Sequence, residues 1–199
     1  MALLLSVLEQ GMIYGILALG VYITYKILDF PDLTVDGSFP FGAAITVRLI
    51  NGFGVPAILT LPIAFLGGAL VGICTGLIHV KLKVRDLLSG IIMMTGLYTI
   101  NLWVAGSGYV AIFDKENIFN NSFVNSITPG FLVNFKNVII IFLITMVAKY
   151  LLDWYMSTKS GFLLRAVGDN DTIVTSLGVD KGLVKIVGLS IANGLVSLS

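Results

Sequence analysis

From residue 55 to residue 80 the chain carries no Asp, Glu, Lys or Arg. A run that long and apolar exceeds the about 20 residues a helix needs to cross the hydrocarbon of a bilayer. Inside lipid every backbone polar group needs a partner within the protein, and a helix meets that demand within its own segment. The rest of the chain follows suit: 57% of residues are hydrophobic, 12% are charged, and mean hydropathy is +0.99. These values describe an integral membrane protein.

Six apolar segments can be read along the chain. The first covers residues 3–28, interrupted at Glu9 and Gln10. A break at Asp29, Phe30, Pro31 and Asp32 precedes a short, mixed segment over 39–50. The third is 55–80, the fourth 87–105 and the fifth 137–156. A sixth, 183–199, ends without a polar flank and reads as a truncated helix, so the sequence reads as a fragment. Between the fourth and fifth lies a polar loop, 106–136, with charges at Asp114, Lys115 and Glu116. The first segment lacks a basic n-region and is too long for a cleaved signal, so it reads as a retained helix. The expected fold is an all-α, polytopic membrane helix bundle, one transmembrane domain over 1–199. About six hydrophobic segments build it, one short or broken and the last truncated.

Lys and Arg in short loops set orientation. With 81–86 and 157–181 in the cytoplasm, Lys26, Lys81, Lys83, Arg85, Lys149, Lys159, Arg165, Lys181 and Lys185 fall in or near it. Only Arg48, Lys115 and Lys136 fall outside. The N-terminus is then outside if 39–50 crosses fully, and a re-entrant 39–50 would reverse that.

The stretch 157–181 stands apart, with six charged residues in 25 positions. Phe162, Leu163, Leu164, Ala166 and Val167 run into Gly168-Asp169-Asn170-Asp171, a stop-and-restart signal between two short helices. A helix carrying Phe162, Leu163 and Val167 on one side, with Arg165 between them, could press an apolar ridge into a partner's groove. Arg165 would then pair with an acidic rim. An amphipathic helix lying in the membrane interface is the plainer reading, but its flanking charges would be basic rather than mixed.

Several functions are disfavoured. A net charge of +1 lacks the concentrated basic face that nucleic acid requires. Cys74 is the sole cysteine and His79 the sole histidine, so no disulfide framework and no metal site is expected. No nucleophile elbow, HExxH or P-loop occurs; the chain is not expected to be an enzyme, to hold a cofactor or to hydrolyse ATP itself.

Within the apolar runs, Gly68, Gly72 and Gly76 repeat every fourth residue, leaving a stripe without side chains where another helix backbone can approach. Across 30–40, two prolines, a glycine and several capping side chains break the helix. Irregular backbone at membrane depth is tolerated where protein or a water-filled cavity covers it. Thr34, Asp36, Gly37 and Ser38 are therefore candidates for a translocation pathway, together with Asn101. The alternative is an interfacial loop with Asp36 as an N-cap. Asn101 and Asn193 can bridge helices or line a pore. Glu9 lies near the outer end of its segment, where it can be merely interfacial. Tyr14, Tyr22, Tyr25, Tyr98 and Trp103 suit an interfacial belt, and Lys149 and Asp153 are spaced to pair.

The run GFLLRAVGDN from Gly161 to Asn170, followed by Leu177-Gly178-Val179, resembles the cytoplasmic loop of ABC importer permeases of the branched-chain amino acid and ribose type. Their pattern reads roughly G-x-x-L-R-A-x-G-x-N, then small residues and L-G-[IV]. The segment LTVDGSF at 33–39 is similar to one that such permeases carry after their first helix. Its Asp-Gly-Ser form is most similar to a subgroup associated with aromatic amino acid uptake, of tryptophan or tyrosine type. By order of elements the resemblance covers essentially the whole chain. It departs at Thr172, Thr175 and Ser176, where the family usually shows alanines, and family members continue well beyond position 199.

The resemblance implies a permease subunit in the bacterial cell (plasma) membrane, importing a small solute such as an aromatic or branched-chain amino acid. Its partners would be an ABC ATPase subunit, a second permease copy, an extracytoplasmic solute-binding protein and membrane lipid. Segment 157–181 would be the cytoplasmic coupling segment, with Gly161, Phe162, Leu164, Arg165, Ala166, Gly168, Asp169, Asn170 and Gly178 meeting the ATPase. The rival is a secondary transporter or channel without an ATPase. It would call for ionisable groups inside the spans, where this chain has almost none.

Overall fold

The computed structural model describes residues 2–106, 135–176 and 178–199. The polar loop with Asp114, Lys115 and Glu116 lies outside the described residues, as does Leu177. The architecture is all-α, and no strand occurs among the described residues. The helices are α1 (Ala2–Tyr22), α2 (Val35–Phe53), α3 (Ala57–Lys81), α4 (Asp86–Ala105), α5 (Lys136–Met156), α6 (Lys159–Asp169), α7 (Asp171–Ser176) and α8 (Lys181–Leu198).

Among the described residues, five segments are long and apolar enough to cross a membrane: Leu3–Ile27, Ala57–Lys81, Asp86–Ala105, Lys136–Met156 and Lys181–Leu198. The second expected segment is the exception. It is a 19-residue helix, α2, that starts four residues earlier than its apolar core and is too mixed in composition to qualify by itself.

Local chemistry sets the ends. α1 widens into a π-helical turn at Ile23–Ile27, closed by Leu28 N–H donating to the Ile23 carbonyl at 2.9 Å. Asp29 then takes a positive φ of 50°, and Pro31 forbids continuation. α2 begins where the Asp32 carboxylate receives the Thr34 N–H at 2.9 Å, and it stops at Gly54, whose φ is 64°.

Contacts along the helices give their directions. Thr34 at the start of α2 meets Thr75 near the end of α3, while Gly42 meets Ser197 near the end of α8. α2 therefore runs alongside α8 and against α3. Ile27, at the end of the first span, touches Gly168 of α6. The N-terminus consequently lies at the end of the bundle opposite α6 and α7, as the crossing version of 39–50 requires.

α8 is the central helix. Of its apolar window 56% is buried, against at most 33% in the other four spans. Glycines admit it on three sides. On α3, a methyl at Gly68 or Gly72 would overlap the carbonyl oxygens of Asn193 and Leu189, and one at Gly76 would lie 2.9 Å from Ile186 Cγ1. On α1, a methyl at Gly20 would sit 2.6 Å from the Ala192 carbonyl oxygen, and on α2 Gly42 abuts that of Ser197. Between backbones this close, dispersion contacts hold the seam, since lipid offers no hydrophobic drive between helices.

Gly72→Ala is therefore expected to destabilise the protein by about 1–3 kcal/mol, because the new methyl meets backbone that cannot step aside. Gly96→Ala faces open space and should leave stability unchanged or raise it by up to about 1 kcal/mol. Thermal unfolding of the full-length protein in detergent distinguishes the two; equal effects would contradict the seam.

Candidate functional site

The segment between α5 and α8 folds back on the bundle. Thr158 caps α6, its hydroxyl receiving Gly161 N–H at 3.4 Å. The absent side chain of Gly161 lets α6 turn tightly under α5: a methyl there would be 2.5 Å from Met156 Cα. α6 ends at Asp169. Asn170 Oδ1 then accepts the Thr172 N–H at 3.1 Å and starts α7. Gly178, with φ of 78°, closes that helix, and Asp180 caps α8 by accepting from Gly182 N–H at 2.8 Å.

α6 has two unlike faces. Gly161, Leu164 and Val167 are buried, and Leu164 packs against Leu28 and Gly188 in the core. Gly168 presses on the Ile27 carbonyl, and Ala166 packs half-buried against the same cluster. Phe162, Arg165, Asp169 and Asn170 are exposed, with Phe162 70% accessible despite its size. The ridge expected from Phe162, Leu163 and Val167 is thus divided: Val167 holds the helix to the bundle, while Phe162 and Arg165 stand outward together.

A polar cluster sits deeper, where α2, α3 and α8 meet the broken segment. Asp32, Thr34, Ser38, Thr75 and Asn193 are all buried. Asn193, about 18 Å along α8 from Lys181 at 1.5 Å per residue, is the hub. Its Nδ2 donates to Asp32 Oδ2 at 2.8 Å and to the Leu189 carbonyl at 3.1 Å. Its Oδ1 accepts the Ser38 hydroxyl at 2.6 Å. Thr34 Oγ1 and Thr75 Oγ1 lie 3.1 Å apart, tying α2 to α3. Asp32 Oδ1 takes the Thr34 N–H, so both carboxylate oxygens are occupied. A charge at this depth is costly without partners, and here each oxygen has one.

The five pathway candidates separate. Thr34 and Ser38 belong to this buried cluster. Gly37 is packed on Leu97, where a methyl would lie 2.9 Å from Cδ1, and its carbonyl accepts from Asn101 Nδ2 at 3.1 Å. Asp36 alone is exposed, on a face of α2 that continues through Pro40 and Ala43. Asn193 was legible in the sequence as a bridge or pore residue, but neither its partner Asp32 nor Thr75, which pairs with Thr34, was; polar side chains inside or beside apolar runs were the available signal. Lys149 and Asp153 pair at 2.6 Å on the surface. No cluster of metal-ligating residues occurs among the described residues.

The link from α6 to the cluster is short. Residues 27–34 touch Gly168 and Leu164 at one end and Asn193 and Thr75 at the other. Midway, Phe30 is buried edge-on to His79, with ring centres 5.1 Å apart. Removing Asn193 would strand Asp32 Oδ2, at about 1–3 kcal/mol for a buried group left unsatisfied, while the Ser38 hydroxyl keeps the Thr34 carbonyl as acceptor at 3.1 Å. A cycle of Asp32→Ala, Asn193→Ala and the double variant should give a coupling of about 0.5–3 kcal/mol in thermal or chemical unfolding. Strict additivity would contradict the contact.

A family described as "Branched-chain amino acid transport system / permease component" matches residues 3–195. Among curated proteins, the chain is 42% identical over 98% of its length to the tyrosine transport system permease protein of Clostridioides difficile, covering 62% of that protein. It is 26% identical over 97% of its length to a "Probable branched-chain amino acid transport permease protein" of Methanocaldococcus jannaschii, covering 64% of it. It is 25% identical over 98% of its length to the ribose import permease protein of Haemophilus influenzae, covering 58% of it. The chain thus spans about three-fifths of the length of these relatives. No solved structure matches. The family match over nearly the whole chain, on a helical bundle in which five of the described segments are long and apolar enough to cross a membrane, means that this chain belongs to the branched-chain amino acid transport system permease component family.

Proposed function

We propose that the chain supplies the membrane-spanning part of an ATP-driven importer for a small solute, in the cell membrane, with amino acids as the substrate class. The names of the relatives support amino acids, and the similarity to a tyrosine permease favours an aromatic one. The chain itself would carry out no chemistry. A separate ATPase subunit would bind on the cytoplasmic side, and a solute-binding protein would deliver substrate from outside.

The observation that carries this reading is the two-faced α6. Its outer face offers an exposed aromatic ring and a guanidinium one turn apart, a pairing suited to a groove with an acidic rim. Its inner face rests through Gly168 and Leu164 on the residues that lead to Asp32. Force applied at α6 therefore reaches the centre of the membrane through about eight residues of chain.

Asp36 supports a second element. A carboxylate exposed at membrane depth is costly against lipid, so its face of α2 meets water or another protein. A second copy of the chain across that face would enclose a pathway. A secondary transporter would instead use Asp32 as an ion-coupling group, but the two donors on its oxygens favour a structural role.

Arg165→Glu and Phe162→Ala are expected to lower ATP-dependent uptake and substrate-stimulated ATP hydrolysis about tenfold or more, the equivalent of at least about 1.4 kcal/mol. Insertion and thermal stability should be unchanged. Leu164→Ala should instead lower stability, by about 2–5 kcal/mol for a fully buried leucine. Reconstituted full-length permease with its ATPase reads both. Undiminished uptake in Arg165→Glu would remove the docking assignment.

A further inference from the structure

At the basic end of the bundle a cavity of about 510 Å³ opens between the end of α3, the turn at 82–85 and the first turns of α4 and α8. Lys83, Arg85, Lys181 and Lys185 line it, with Asp86 and Asp180. Four cations against two carboxylates leave it positive, and Asp180 already accepts two backbone N–H groups as the cap of α8. Among the described residues none of Lys83, Arg85 and Lys185 forms an ion pair. We propose that this cavity binds the phosphodiester headgroup of an anionic membrane phospholipid.

The walls are built to bring these charges together. Gly182 lets α8 close on α3, since a methyl there would stand 2.6 Å from Val80 Cγ1. That places Lys181 and Lys185, one turn apart, beside the 82–85 turn. His79 Nδ1 lies 2.9 Å from the Val84 carbonyl and pins the turn; the carbonyl accepts, so this nitrogen carries the proton. Lys83 holds a left-handed backbone, φ 54°, a conformation costly for a residue with a Cβ and found where surroundings over-determine it.

Position selects a lipid over a free anion. The cavity lies where three spanning helices begin or end, at headgroup level. Leu82, Leu87 and Leu183, all exposed, flank it where acyl chains would run. A phosphodiester between convergent Lys and Arg side chains gains charge-assisted hydrogen bonds, and basic pockets between spanning helices on the cytoplasmic side are suited to acidic headgroups. The site is separate from the outer face of α6, so a permease that failed to dock an ATPase could still hold the lipid.

The test is native mass spectrometry of the full-length permease with phosphatidylglycerol or phosphatidylcholine, with and without its ATPase. The comparison variant is Lys83→Asn/Arg85→Gln/Lys185→Gln, in which asparagine tolerates the left-handed backbone at 83. Wild type is expected to retain phosphatidylglycerol over phosphatidylcholine, and the triple variant to weaken that binding about tenfold with an unchanged melting temperature. Lys159→Gln, outside the cavity, should bind like wild type. Equal retention of phosphatidylglycerol by wild type and the triple variant would overturn the proposal. Displacement by soluble glycerol phosphate at matching concentration would overturn it in favour of a free-phosphate site. Loss of ATPase co-purification with lipid binding intact would overturn it in favour of a protein contact.

Discussion

The rest of the molecule depends on how closely α3 and α8 approach. Gly68, Gly72 and Gly76 present bare backbone to Asn193, Leu189 and Ile186. A pair of ordinary helices would stand 8–10 Å apart, set by side chains between them; a stripe of glycines removes those side chains. Only with α8 drawn in this far does Asn193 reach Asp32 on one side and Ser38 on the other at 2.8 and 2.6 Å. The polar cluster is thus a consequence of the glycine seam. It supplies the directional bonds that fix rotation about a seam that dispersion alone would leave free to slide.

The same arrangement makes the break after α1 more than a connection. A helix running straight through 23–34 would carry Asp32 past Asn193. The π-turn, the left-handed Asp29 and Pro31 turn the chain so that Ile27 faces α6 and Asp32 faces α8. Irregular backbone is tolerated there because protein encloses it and Asp32 satisfies the N–H of Thr34, just ahead of the next helix. One short segment is therefore clamped at both ends, to the polar face of the bundle and to its interior.

Local patterns were legible in the sequence; pairings between distant residues were not. Runs of apolar residues located five spanning helices, because length and hydropathy are properties of one segment. The glycine stripe was visible for the same reason, while its partner, more than a hundred residues away in the chain, was not. Asn193 was conspicuous among apolar neighbours, yet Asp32 was read only as part of a break. α2 was misjudged in length because its N-terminal turn is polar, with Gly37 and Ser38 covered by α4 and α8 rather than by lipid. The face of α6 was misread by composition: Phe162 and Val167, five residues apart, differ by about 140° around a helix at 100° per residue, whereas Phe162 and Arg165 differ by about 60°.

In the proposed coupling, events at the outer face of α6 reach Asp36 through residues 27–34. Accessibility of a single cysteine at Asp36, in a Cys74→Ser background, measures this directly. A membrane-impermeant thiol reagent would be applied to the permease reconstituted with its ATPase, nucleotide-free and then trapped with ATP and vanadate. Coupling along this route requires the labelling rate to differ between the two states, and the difference to vanish when Arg165→Glu is added. Labelling at the same rate in both states, or a difference that survives Arg165→Glu, would contradict it.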